Sequence, residues 1–298
     1  MTAHANAPYP PLALTNRVCS LEHSGDPLAA YERSGAEARA ALLAMLPGGW
    51  SFDGKRVLDF GCGAGRTLRQ FLSEADGAAE FWGADIDAPS IAWLEAHLSP
   101  PLRLVQNGVD PPLGLDYGTF DLAWALSVFT HLTDNSLPWL AELHNLLRPG
   151  GLLVASYMGR LNGEVFTHEP WDEDRIGMNV LREHYEWEKG GPMVLMSDWW
   201  IRAHWGRAFE ILTAAPVHGQ TWLLLRKRDV QITAAELAEL ADDPREYLAV
   251  RHNVRQVQRD CEHLLAELTN GYEHSLSWRL TRPLRAAAKH ARALRARY

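Results

Sequence analysis

Ten residues, Val57-Leu58-Asp59-Phe60-Gly61-Cys62-Gly63-Ala64-Gly65-Arg66, limit what this chain can become more than any other stretch. An apolar run ends on an acid, three glycines follow at alternate positions, and Thr67-Leu68-Arg69-Gln70-Phe71-Leu72 then reads as the start of a helix. Strand, tight turn and helix N-terminus together present backbone N–H groups to a bound ligand. Glycine is needed there because a Cβ would block close backbone approach and disfavour positive φ. A dinucleotide fingerprint wants G-x-G-x-x-G, but Arg66 stands at the last place and the spacing is G-x-G-x-G. On its own the turn is either a nucleotide-type site or a structural bend.

The surrounding pattern narrows this. Asp26-Pro27 reads as a helix cap and first position, and a helix over Leu28 to Leu46 stops at Pro47-Gly48-Gly49. Residues 1–27 are rich in Pro, Ala and polar residues and read as irregular. A second strand, Glu80 to Asp85, ends 20 residues beyond Gly65, where a carboxylate can accept hydrogen bonds from both hydroxyls of a ribose. Asp87, ahead of Pro89, is the better helix cap. Leu102 to Val105 forms the third strand, followed by Gln106-Asn107-Gly108-Val109, and Phe120 to Ala125 the fourth. Leu126-Ser127-Val128-Phe129-Thr130-His131-Leu132 leaves the C-terminal end of the fourth strand, where ligands of open α/β sheets sit. A helix over Asn135 to Leu147 stops at Arg148-Pro149-Gly150-Gly151 before a fifth strand, Leu152 to Tyr157. Ala208 to Thr213 and Thr221 to Arg226 read as a closing pair of strands.

The glycine stretch resembles the first motif of class I S-adenosylmethionine-dependent methyltransferases, and Leu147-Arg148-Pro149-Gly150-Gly151 before a strand resembles a later one. The matches cover roughly residues 31–157 in order. The resemblance implies a Rossmann-like, seven-stranded α/β sheet, mostly parallel with an antiparallel C-terminal hairpin, and S-adenosyl-L-methionine as cofactor. Carried over position by position, it implies cofactor contacts at Tyr31, Asp59, Gly61, Cys62, Gly63, Gly65, Asp85, Ile86, Asn107, Gly108 and Ser127. Tyr31 and Gly35 match a pattern that lines the pocket in that family; a buried aromatic and a helix-packing glycine are the alternative. Ile86 would pack on the adenine. Asn107 stands where the family commonly has an aspartate, and its carbonyl oxygen would accept the adenine amino group instead.

At 298 residues the chain can bury one large α/β domain plus an appendage. No run of ~18 apolar residues is present to span a membrane. Met1 to Pro11 lacks both a charged start and an apolar segment, so a secretory signal is not expected. Cys19, Cys62 and Cys261 are scattered, which suits a reducing cytoplasm and gives no metal-ligand spacing. The net charge of −8 includes seven cations after Glu273 with no acid among them, so residues 1–278 carry about −15, which argues against a nucleic-acid-binding body.

Residues 158–206 read as an insertion without simple periodicity. Five of the twelve tryptophans (Trp171, Trp187, Trp199, Trp200, Trp205) lie there with His168, Glu169, Asp172, His184 and His204. Aromatic faces pack on sugar rings, so an acceptor-binding cap is the expectation, with an ordinary aromatic core as its alternative. Methyl transfer to a hydroxyl needs a base within hydrogen-bond reach. His131 is the first candidate by location, then His168 and Glu169. His168, Glu169 and Asp172 form only a weak metal-ligand set, and no metal is expected.

The chain is therefore expected to fall into an N-terminal segment (1–50), a methyltransferase domain (51–228) and a C-terminal helical segment (233–298). In the last, Tyr247, Val250, Val254, Val257, Cys261, Leu264 and Leu268 recur at spacings of 3 and 4, the seam of a coiled coil, implying a homo-oligomer or docking on the body. Ser275 to Arg285 resembles a tail element of bacterial surface-polysaccharide assembly proteins, and Leu284, Ala287, Ala291, Leu294 and Tyr298 line the apolar face of a basic helix suited to weak contact with an anionic membrane. The expected function is O-methylation of a sugar in a bacterial cell-surface glycan or precursor. The alternatives are methylation of a small natural product, or a cofactor-binding scaffold for a polysaccharide complex.

Overall fold

The computed structural model describes residues 7–19, 25–183, 185 and 191–295. His184, Trp187 and Tyr298, and the side chains of Cys19, Ala287, Ala291 and Leu294, lie outside the described set. The chain divides into two compact units, Met1–Val250 and Arg251–Tyr298.

The first unit holds seven strands in one sheet: β1 (Arg56–Phe60), β2 (Glu80–Asp85), β3 (Arg103–Gln106), β4 (Phe120–Ala125), β5 (Leu147–Tyr157), β8 (Phe209–Val217) and β9 (Gln220–Lys227). Their order is β3-β2-β1-β4-β5-β9-β8. Neighbours from β3 to β5 run parallel, while β9 is antiparallel to both β5 and β8. This is the expected Rossmann-like class I methyltransferase sheet with its antiparallel closing hairpin. The chain steps outward from β1 to β2 and β3, then returns to place β4 on the other side of β1. Loops leaving β1 and β4 thus diverge over a crevice at the strand C-termini, where open α/β sheets bind ligands.

The strands read as near-continuous apolar runs because both faces are covered. Leu58, Phe60, Ala123, Ala125, Leu153 and Leu225 point to one face, packed by α5 (Ser136–Leu146), α7 (Asp198–Ala208) and α8 (Ala234–Ala238). Val57, Phe81, Leu122, Trp124, Val154 and Leu224 point to the other, covered by α2 (Pro27–Met45) and α4 (Ala88–Leu98). Each helix begins where its cap residue stands: the Asp26 carboxylate accepts from the Ala29 N–H and Asp87 from Ser90.

Three expectations are corrected. Residues 12–19 form a helix, α1 (Leu12–Cys19), within the N-terminal segment read as irregular. The chain after the glycine turn makes a 3₁₀ turn, Leu68–Phe71, and only then a short helix, α3 (Leu72–Ala75). The segment 158–206 is not one cap. It contains α6 (Arg160–Thr167), an antiparallel hairpin of β6 (Met178–Leu181) and β7 (Met193–Met196), and then α7, which belongs to the sheet's own covering layer. Trp199, Trp200 and Trp205 are buried there as ordinary core, since α7 packs its aromatic face under the strands. Trp171 is half-buried against Gly163.

After α8 comes α9 (Pro244–His274), then α10 (Leu276–Arg295). The first turns of α9 still belong to the first unit. Glu246 and Ala249 are buried, and the Glu246 carboxylate meets His204 Nε2 at 3.1 Å while His204 Nδ1 donates to the Leu237 carbonyl at 2.7 Å. The unit boundary therefore lies inside α9 and not before residue 233. Among the described residues no helix is long and apolar enough to cross a membrane.

Candidate active site

The turn after β1 is built from close approaches that only glycine allows. Gly61 and Gly65 hold φ of +80° and +85°; a Cβ on Gly61 would come within 2.3 Å of Val128 Cγ2, and one on Gly65 within 2.6 Å of Leu94 Cδ2. The N–H groups of Gly61 and Cys62 both donate to the Ala84 carbonyl, bending the loop over β2. The Cys62 side chain is buried in the core beside Gly83. From the other side α2 holds the loop. Tyr31 is fully buried and its hydroxyl donates to the Ala64 carbonyl at 2.9 Å. Gly35 lies so close that a Cβ there would meet the Arg66 carbonyl oxygen at 2.3 Å. Tyr31 and Gly35 thus brace the turn from behind.

Beyond β2, the Asp85 carboxylate ties two loops together: Oδ2 accepts from the Gly63 N–H at 2.6 Å and Oδ1 from the Asp87 N–H at 2.8 Å. Each carboxylate oxygen accepts more than one bond, so capacity for a diol remains. Burial raises the Asp85 pKa above the ordinary carboxylate value, and the two backbone donors pull part of it back. Next to it Ile86 is 44% exposed, an aliphatic surface at the mouth of the crevice. Asn107, beyond β3, donates through Nδ2 to the Gly108 carbonyl, while its buried Oδ1 has no hydrogen-bond partner.

Asp59 is the most perturbed carboxyl of the cluster. It is 3% exposed, and its Oδ2 is buried without a partner. Burial pushes its pKa up to about 7, against the opposing pull of the neighbouring Trp124 side chain and Arg66, and Asp85 adds to the rise. Burial, with Asp59 and Asp85 nearby, also raises the Cys62 thiol well above its ordinary value.

The candidate residues after β4 are Ser127 and His131. Ser127 is exposed in a left-handed conformation with φ of +59°, fixed because its N–H donates to Ser156 Oγ at 2.7 Å and Gln220 Nε2 donates to its hydroxyl at 2.9 Å. His131 is half-buried. Its Nδ1 lies 2.7 Å from the Pro192 carbonyl oxygen, which can only accept, so Nδ1 carries a proton. Burial lowers the His131 pKa below 6.5, with the Pro192 bond opposing it. The Val194 N–H donates to the Thr130 carbonyl at 2.8 Å, bolting β7 to the same loop. No sequence pattern pointed to Pro192, Val194, Ser156 or Gln220, because each is a partner across the fold. His168 caps α6 with φ of +56°, both His168 and Glu169 are exposed, and the Glu169 N–H donates to Thr167 Oγ1 at 3.2 Å. Among the described residues no three His, Cys, Asp or Glu side chains cluster to hold a metal, the set His168, Glu169 and Asp172 included.

A parallel sheet with its crevice at the β1/β4 switch, a glycine turn, an acid one strand over and an orphaned amide acceptor beyond it have the fold of a class I methyltransferase domain, with S-adenosyl-L-methionine as cofactor. The residues fit that group: Asp59 offers a buried carboxyl oxygen, Oδ2, to a cationic ligand, Asp85 a diol acceptor, and Asn107 Oδ1 an acceptor for an amino group. Comparison with known proteins agrees. Residues 57–151 match the methyltransferase domain family. A ubiquinone biosynthesis O-methyltransferase of Cereibacter sphaeroides is 36% identical over 129 residues, 42% of this chain and 48% of that protein. A tRNA U34 carboxymethyltransferase of Idiomarina loihiensis is 32% identical over 106 residues, 34% of this chain and 32% of that one. The chain spans about half the length of the ubiquinone-pathway relatives it matches. In fold, the PH0226 protein of Pyrococcus horikoshii aligns with a TM-score of 0.51 at 15% identity, over 72% of this chain and 98% of that one.

Proposed function

We propose that this protein transfers the methyl group of S-adenosyl-L-methionine to a hydroxyl oxygen, with His131 as the general base. The observation that carries the reading is the His131 imidazole at the C-terminal end of β4, with Nδ1 committed to the Pro192 carbonyl and a pKa lowered by burial. An imidazole whose pKa lies below the ordinary value is a suitable acceptor for a hydroxyl proton near neutral pH. The bound cofactor supplies an electrophilic methyl group on a positively charged sulfur. The chain's part is to hold that donor against the glycine turn, to grip its ribose through Asp85, and to accept the proton released as the acceptor oxygen is methylated. The O-methyltransferase relatives support oxygen as the acceptor atom.

For the acceptor, the sequence suggested a glycan sugar through its tryptophan cluster. With Trp199, Trp200 and Trp205 in the core and Trp187 outside the described residues, Trp171 and the tail's resemblance are what supports it. A transfer assay with radiolabelled cofactor, run against extracted surface glycans and against small phenolic acceptors, tests both the reaction and the acceptor. His131→Ala should lower kcat by about 10²- to 10⁴-fold without changing S-adenosylhomocysteine affinity. Full turnover in that variant, or label on nitrogen or carbon only, overturns the proposal.

A further inference from the structure

α10 carries its apolar and its charged side chains on different sides. Leu276, Leu280 and Leu284 are 77%, 78% and 71% exposed. They stand four residues apart, and at ~3.6 residues per turn each lies about 40° round from the last, so the three form one stripe. On the same helical count Arg279, Arg282 and Arg285 lie about 100° to 160° away from Leu280. Arg285 is fixed on that other side. Its guanidinium carbon sits 3.7 Å from the centre of the Trp278 ring, Nη1 donates to Thr281 Oγ1 at 2.5 Å and Nη2 to the Trp278 carbonyl at 2.6 Å.

The charge is of one sign. Seven cations follow Glu273 with no acid among them. A surface that covers α10 must therefore be apolar and anionic together. A nucleic acid would take the arginines and leave the leucine stripe in water, and a second α10 would set cation against cation. A phospholipid bilayer with anionic headgroups takes both faces at once: leucines enter the boundary between headgroups and acyl chains while the cations stay among the phosphates and carboxylates. The helix, Leu276–Arg295, is about 30 Å long at ~1.5 Å per residue and too polar to cross, so it lies along the surface.

We propose that α10 is a membrane-binding surface, which lies flat on a bilayer with anionic headgroups and turns Leu276, Leu280 and Leu284 into it. The three leucines are exposed, so substituting them leaves the fold alone, as an unchanged melting transition of the first unit would show. The full chain should bind phosphatidylcholine vesicles carrying about 30% phosphatidylserine with an affinity tenfold or more above that for phosphatidylcholine alone, and lose the difference in high salt. Arg279→Gln and Arg282→Gln should each weaken that binding about fivefold. Leu280→Glu should abolish it. Depth is read in a Cys261→Ser background: a spin label on Leu284→Cys should become shielded from an aqueous quencher when vesicles are added, and one on Arg282→Cys should stay accessible. Equal affinity for the neutral vesicles, binding that survives Leu280→Glu, or the reverse order of shielding overturns the proposal. So does a chain that stays in solution beside phosphatidylserine vesicles, whether or not it takes up a homopolymer RNA instead.

Discussion

Asp59 offers a measurement in which fold stability and cofactor binding pull in opposite directions. Its pKa rises from 3.8 to about 7 in the folded chain, about three pH units, each worth 1.36 kcal/mol. The native state therefore prefers the neutral carboxyl by about 4 kcal/mol. For a carboxyl with a raised pKa, the stability this confers is complete below pH 3.8 and lost as pH climbs to about 7. Asp59→Asn keeps the volume and removes the titration. Its stability relative to the parent chain should rise by about 2.5 kcal/mol between pH 5 and pH 8, the part of the titration falling in that window. Urea unfolding of both proteins at the two pH values measures this. A cationic ligand reverses the preference, because it favours the ionised carboxylate. S-adenosyl-L-methionine should then bind more tightly as pH rises toward 7, by up to about tenfold per unit, with release of up to one proton. Calorimetry in buffers of different ionisation enthalpy counts that proton in the parent chain and should find none in Asp59→Asn. Parallel pH profiles for the two proteins, with no difference in proton release, would refute the reasoning.

Three other consequences are open to test. Since burial lowers the His131 pKa, kcat/KM should fall on the acid side only below pH 6.5, and that limb should vanish in His131→Ala. Gly35→Ala places a methyl group 2.3 Å from the Arg66 carbonyl oxygen, so it should destabilise the fold by about 1–3 kcal/mol in thermal melts and weaken cofactor binding by pushing α2 off the turn. Glu246→Ala removes the buried partner of His204 Nε2 and should cost about 1–3 kcal/mol in urea unfolding, with Glu246→Gln recovering part of it.

What the amino-acid order alone determined is local. The glycine turn announced itself because three consecutive alternate residues demand backbone that only glycine adopts freely, and Gly61, Gly63 and Gly65 all have positive φ. Asp85 was legible from its distance along the chain, because a βαβ unit has a nearly constant length. The strands announced themselves as apolar runs, and Asp26 and Asp87 as caps, since these preferences act within a few residues. Tertiary structure decided the rest. Pro192 holds a proton on His131 Nδ1 from 61 residues away, and Glu246 meets His204 across 42. Nothing short-range encodes such pairs; they exist because the packed sheet closes those loops. The same holds for the tryptophans. Their side chains suit a sugar or a core equally well, and only the docking of α7 beneath the sheet settled that Trp199, Trp200 and Trp205 are core.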